Sequence, residues 1–169
     1  MDRRWITLAV FVPVAAIVDQ VTKQIVETSL APRGMIPVID GFFTLHYARN
    51  RGAFFSLGEN LDPSIRRIFF VVATLAAGAL IVHLYRKATA SQRILRLALL
   101  LLLSGALGNL IDRVLYGEVI DFLHLYYDDV FDWATFNVAD IYITAGLILL
   151  VVDLVRSRPK AASTPVESP

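Results

Sequence analysis

Ile94-Leu95-Arg96-Leu97-Ala98-Leu99-Leu100-Leu101-Leu102-Leu103-Ser104-Gly105-Ala106-Leu107-Gly108-Asn109-Leu110-Ile111-Asp112-Arg113-Val114-Leu115 is apolar apart from Arg96 and Ser104 until its last turns, where Asn109, Asp112 and Arg113 arrive together. A helix needs about 20 such residues to cross a hydrocarbon core of about 30 Å. Three further runs have similar length and character: Trp5–Val26, Ile68–Leu84 and Val138–Val155. The 169-residue chain is 56% hydrophobic and 18% charged, where a soluble domain carries about 25% charged residues. Its mean hydropathy is +0.60. Backbone groups in lipid must be satisfied within their own segment, so runs of this kind read as spanning helices. A buried helical hairpin of a soluble protein is the weaker reading.

The expected class is therefore an all-α polytopic membrane protein with four transmembrane helices. Two loops, 27–65 and 116–137, project from one side, with a small β-rich subdomain in the first. Its centre, Phe42-Phe43-Thr44-Leu45-His46-Tyr47, is aromatic and β-branched enough for a short strand pair. Pro32, Gly34, Pro37 and Gly41 punctuate it into turns. Residues 1–158 read as one membrane-embedded domain without repeats. The Pro/Ser/Ala-rich segment 159–169 reads as a disordered tail.

The first apolar run follows Arg3 and Arg4 as a secretory signal would. It is too long, contains Asp19 and Lys23, and lacks a small-x-small cleavage site, so it reads as a retained helix. The segments holding Arg3 and Arg4, then Arg86, Lys87, Arg93 and Arg96, then Arg156, Arg158 and Lys160 fall on one side. They outweigh Arg33, Arg49, Arg51, Arg66 and Arg67 on the other, which points both termini to the cytoplasm. The chain has no Cys. Disulfides, a thiol nucleophile, a Cys-based zinc site and lipidation of the chain itself are thereby excluded. No basic tract or motif points to nucleic acid.

The polar residues of interest gather at the outer ends of these helices. Asn109, Asp112 and Arg113 share a helical face by their spacing. An Asp112–Arg113 pair neutralising itself at the interface accounts for them as well as a functional site does. Asp121 follows a turn at Gly117 and lies between Ile120 and Phe122, apolar neighbours that would raise a carboxyl pKa. Asn137 and Asp140 have the spacing of a capping box at the start of the fourth helix. Taken alone, capping is the stronger reading of that pair. Asp19 and Lys23 sit at i and i+4, either as an intrahelical ion pair or as a brace for a site. Asn50 either bonds substrate or satisfies its own turn. An ionisable group at membrane depth is costly, and the joint pattern favours function, with Asp121 and Asp140 as an acid/base dyad.

Weaker patterns point elsewhere. Asp128-Asp129-Val130-Phe131-Asp132 matches a magnesium-diphosphate motif but occurs once, in a loop, and reads as a solvated acidic stretch. His46, His83 and His124 are scattered without H-E-x-x-H. Ser56 with Lys23 lacks the surroundings of a Ser/Lys dyad. A proton-coupled transporter using Asp19, Lys23, Asp112 and Asp140 would be expected to show repeated halves, and none is visible. A scaffold without chemistry leaves the motifs unexplained.

Five blocks taken together resemble the bacterial lipoprotein signal peptidase family. They are Asp19-Gln20-x-x-Lys23, Asn50-x-Gly52-Ala53-Phe54, Gly108-Asn109-x-x-Asp112-Arg113, Gly117-x-Val119-Ile120-Asp121-Phe122 and Phe136-Asn137-x-Ala139-Asp140. The resemblance spans residues 5–155 and departs only slightly, with Ile120 where Val is common and a variable Tyr126–Asp132 stretch. It implies an aspartic endopeptidase of the bacterial inner membrane, with its active site at the periplasmic face. Asp121 and Asp140 would be catalytic, sharing a proton and activating water, with their two roles unassigned. Asn50, Asn109, Arg113 and Asn137 would support them or contact substrate, and Asp19, Lys23 and Asp112 would be structural. The implied partners are diacylglyceryl-modified prolipoproteins, cut just before the modified cysteine, membrane lipid, and globomycin-type inhibitors. No metal or cofactor is expected.

Overall fold

The computed structural model describes residues 3–52, 62–127 and 130–157. The elements follow in the order α1 (Arg3–Ser29), β1 (Met35–Ile39), β2 (Phe43–Asn50), α2 (Pro63–Lys87), α3 (Arg93–Leu115), β3 (Val119–Tyr127), β4 (Phe131–Asp132) and α4 (Val138–Arg156). All four helices are long and apolar enough to cross a membrane. Their outer faces keep Val10, Ile17, Phe69, Val72, Ile148 and Val151 exposed, which suits contact with lipid chains.

Helix α2 begins at Pro63, ahead of the Ile68 at which its apolar run starts. Asp62 caps it by accepting the Ser64 N–H at 2.8 Å and the Ile65 N–H at 3.4 Å, and Pro63 fills the first helical position. Helix α3 is central and packs against α1, α2 and α4. Its seam with α4 is closed by glycine. A Cβ on Gly105 would strike the Ala139 carbonyl and Ile143, and one on Gly146 would meet the Ala98 carbonyl at 2.9 Å. At the end of the bundle away from the sheet, Val12, Tyr85, Leu99 and Leu100 form a buried cluster. There the Tyr85 hydroxyl donates to the Arg4 carbonyl at 3.0 Å.

The four strands form one antiparallel sheet in the order β1-β2-β3-β4. The strand pair expected in the first loop is present as β1 and β2. The sheet is larger than that, because the second loop adds β3 and β4. The β-branched and aromatic residues of Val119–Tyr127 are a strand signal, masked by the polar residues around them. Phe122 faces Val26 and Leu30 in a second core cluster, which seats the sheet on the end of α1. His124 Nε2 meets Asp132 Oδ1 at 2.9 Å and ties β4 to β3. Ala53, Phe54, Ser56, Asp128, Asp129 and the tail 159–169 lie outside the described residues.

Candidate active site

The polar ends of α1, α3 and α4 meet the start of β3 in two layers. The lower layer is an ion cluster. Lys23 Nζ lies 2.8 Å from Asp19 Oδ2 and 2.8 Å from Asp112 Oδ2, and donates to Asn109 Oδ1 at 3.1 Å. All three charged groups are buried, with Asp19 and Asp112 wholly inaccessible. Each lone ion would cost several kcal/mol in such a place, and removing one partner strands the others. Gln20 Nε2 completes the cluster, donating to Asp112 Oδ1 at 2.7 Å, to the Gly108 carbonyl at 3.1 Å and to Asp19 Oδ2 at 3.3 Å. Gly108 must lack a side chain here, since a Cβ would come within 2.6 Å of Asp19 Oδ2.

The lower carboxylates also reach upward. Asp112 Oδ2 accepts the N–H of Ile120 at 3.2 Å, and Asp19 Oδ1 accepts the N–H of Ala139 at 2.8 Å. Ile120 and Ala139 are the residues immediately before Asp121 and Asp140. Each lower acid thus holds the backbone beside one upper acid.

In the upper layer, Asp121 stands on β3 and Asp140 in the first turn of α4. Asn137 joins them. Its Nδ2 donates to Asp121 Oδ1 at 2.6 Å, while its backbone N–H donates to Asp140 Oδ2 at 3.1 Å and its Oδ1 accepts the Asp140 N–H at 3.0 Å. The capping box read from the sequence is therefore present, and it does not stop at capping. Asn50 Nδ2 donates to Asp121 Oδ2 at 3.0 Å, and Asn109 Nδ2 donates to Asp140 Oδ1 at 2.8 Å. Each of the four carboxyl oxygens accepts one neutral donor and retains a lone-pair site. Lys23 fixes the arrangement indirectly, because occupying Asn109 Oδ1 turns the amide nitrogen toward Asp140.

No cation lies in direct contact with either upper acid among the described residues, and this sets their electrostatics. Burial pushes the Asp121 carboxyl up to about 7, and the charge of Asp140 adds to the rise. Hydrogen bonds from Asn50 and Asn137 and the charge of Lys23 oppose it. Two acids so arranged titrate as a pair.

Asp140 also forms part of the wall of a groove of about 560 Å³ running between the sheet and α4. Its lining is largely apolar, with Phe131, Trp133, Phe136, Ile141 and Ile148. A buried carboxyl pair opening on an apolar groove can bind a hydrophobic chain and move protons at its polar end.

A model of the family described as signal peptidase (SPase) II matches residues 11–156. The chain belongs to the signal peptidase II family. The lipoprotein signal peptidase of Geobacter metallireducens is 46% identical over 143 residues, 85% of this chain and 86% of that relative. That of Geobacter sulfurreducens is 44% identical over 146 residues, 86% of this chain and 89% of that relative. A bacterial membrane enzyme solved by the in meso method at 2.3 Å resolution superposes with a TM-score of 0.79 at 32% identity, covering 94% of each chain. The fold is thus that of a multi-pass membrane protease of the signal peptidase II family.

Asp19, Lys23, Asn50, Asn109, Asp112, Arg113, Asp121, Asn137 and Asp140 all fall in or beside the two layers, with one rearrangement. Asp112 and Arg113 do not pair. Asp112 turns inward to Lys23, while Arg113 lies over the Phe70 ring, 5.2 Å from its centroid, toward α2. One residue of a helix cannot share the face of its immediate neighbour, and the buried ammonium outcompetes the guanidinium for the carboxylate. Asn50 takes both of its readings at once, since its Oδ1 also accepts the Gly52 N–H at 3.0 Å. Gln20 was missed as a functional position. Its signal was its place beside Asp19 on an otherwise apolar helix, one turn before Lys23.

Proposed function

We propose that the chain is an aspartic endopeptidase that removes signal peptides from prolipoproteins, cutting just before the diacylglyceryl-modified cysteine. The observation that carries this reading is the pairing of Asp121 and Asp140 through Asn137 at the head of an apolar groove. Family membership supports the peptidase chemistry, and the relatives' own names support the lipoprotein substrate. The groove supports a substrate bearing hydrocarbon.

The pair holds one proton in its resting state. Asp121, on the strand and raised to about 7, carries that proton. Asp140 is then the ionised partner, since two acids so placed share a single proton. Asp140 takes a proton from water as the water oxygen attacks the scissile carbonyl carbon. Asp121 gives its proton to the carbonyl oxygen, so a neutral gem-diol forms. On collapse, Asp140 returns its proton to the leaving amine of the cysteine and Asp121 recovers one from the diol hydroxyl. Asn50, Asn109 and Asn137 hold the two carboxyls in register throughout. Arg113 is close enough to both acids to interact with their charges. A membrane-held substrate brings its peptide bond to the pair already oriented. The sheet that carries Asp121 limits water above it.

The Lys/Arg asymmetry supports both termini in the cytoplasm of an inner membrane, with the site at its periplasmic face. A globomycin-type cyclic peptide would compete for the same groove.

The test is cleavage of a diacylglyceryl-modified prolipoprotein by the purified protein in detergent with EDTA present, with the new N-terminus determined by mass spectrometry. The expected product begins at the modified cysteine. The rate should fall as pH rises through about 7, because Asp121 then loses the proton it must donate. A product beginning elsewhere, or a rate that climbs through that range, contradicts the proposal.

A further inference from the structure

The sheet ends at β4, and the segment that follows it keeps running beside β3. The Trp133 N–H donates to the Leu125 carbonyl at 2.9 Å, and Phe136 and Leu123 exchange two bonds, at 2.9 and 2.8 Å. Ala134 and Thr135 lie between these anchors and form a bulge, since the register along β4 shifts by one residue between the Leu125 and Leu123 contacts. Neither residue makes a backbone or side-chain hydrogen bond among the described residues. Alternation along the strand turns the N–H and C=O of Ala134 away from β3, toward the open edge.

Ala134 is exposed along that edge, and Phe131 and Trp133 beside it are apolar and exposed. Ala134 and Thr135 both line the groove that contains Asp140. The edge is also held firmly, by the His124–Asp132 contact on one side and the Phe136–Leu123 pair on the other. Exposed as they are, the Ala134 backbone groups lose water once a chain covers them and then need protein partners. A substrate crossing this groove in extended form presents a complementary row.

We propose that the Ala134–Thr135 edge is a backbone-pairing site on which the extended segment of the prolipoprotein flanking the scissile bond adds as a further strand. Ala134 exchanges its N–H and C=O with one substrate residue, and this sets the distance of the scissile bond from Asp140. The recognition is of main chain, so it tolerates varied side chains while the groove takes the apolar ones. The inference rests on the peptidase reading above.

The test is a set of synthetic diacylglyceryl lipopeptides in which each amide flanking the scissile bond is replaced in turn by an ester. Esters keep the shape and remove the N–H donor. One position should lower kcat/KM by about 3- to 10-fold, the effect of a single hydrogen bond, with its neighbours little changed. Ala134→Pro deletes the enzyme's N–H, which donates to a substrate carbonyl, so it should lower kcat/KM on the all-amide peptide by a similar factor, while the ester penalty, which reads the Ala134 carbonyl, persists. Thermal unfolding in detergent verifies that the variant is folded, and the wild-type scan decides the matter if it is not. Cleavage of the all-amide peptide with a flat ester scan, or a folded Ala134→Pro that cleaves it at the wild-type kcat/KM, overturns the edge inference alone. Failure to cleave the all-amide peptide at the cysteine overturns the peptidase reading, and the edge inference falls with it.

Discussion

The two polar layers are built from the same residue types and stand in opposite electrostatic situations. Below, Asp19 and Asp112 share one ammonium, and every charged atom has close partners. Above, Asp121 and Asp140 face each other with only neutral amides between them. The two lower carboxylates are already engaged by the ammonium and by backbone N–H groups, which leaves them little to offer a reaction. A carboxylate held by neutral donors near a second acid can hold or release a proton near neutral pH. The lesson is that burial alone does not mark the pair proposed to react. The distribution of the single Lys among four acids does. The lower layer acts by holding the backbone beside each upper acid, at Ile120 and Ala139.

That contrast can be broken most forcefully from above. Asp121→Asn or Asp140→Asn should reduce turnover by at least about 10³-fold, since each removes one proton carrier, while the protein stays folded and still binds substrate. Asp121→Asn carries a second signature. A group whose pKa is raised on folding is bound to its proton more tightly in the native state, so ionising it costs stability as pH rises from about 4 to about 7. The variant's apparent Tm should therefore gain on the wild type at pH 8 and not at pH 4.

From below, Lys23→Met should behave in the opposite way. It strands two buried carboxylates and should cost about 3 kcal/mol or more, seen as loss of folded protein in detergent extraction. A folded, stable Lys23→Met with normal stability would mean that the lower cluster is not held by its charges. Asn109→Ala links the layers and should have an intermediate effect. Losing the donor to Asp140 should slow turnover by about 10- to 100-fold with little change in KM. The rim supplies the smallest effect. Arg51 contacts Glu118 at 2.9 Å on the surface, and Arg51→Ala should shift stability by less than about 1 kcal/mol.

The four helices were legible because a bilayer imposes a length and a composition that only spanning segments meet. Their true starts were less so. Helix α2 begins at its Asp62-Pro63 cap, upstream of its apolar run, because capping chemistry and lipid contact are separate requirements. The upper acids were legible as motifs, and the capping box at Asn137 was correctly read, though sequence could not reveal that one amide would serve cap and dyad together. Spacing left an Asp112–Arg113 pair open as an alternative, because helical spacing says which residues are near and not which partner wins. Lys23, distant in sequence, takes Asp112. The role of β3 was hidden for a similar reason. A strand in the second loop needs β2 from the first beside it, and that pairing is non-local.

The central claim is that the upper acids do the chemistry and the lower cluster positions them. Its most direct test is single-turnover cleavage of a diacylglyceryl-modified prolipoprotein by folded wild type and Asp140→Asn, side by side with EDTA. The account predicts cleavage by the wild type alone, with the variant binding substrate as tightly. Equal cleavage by both proteins would remove Asp140 from the reaction and reduce its role to capping α4.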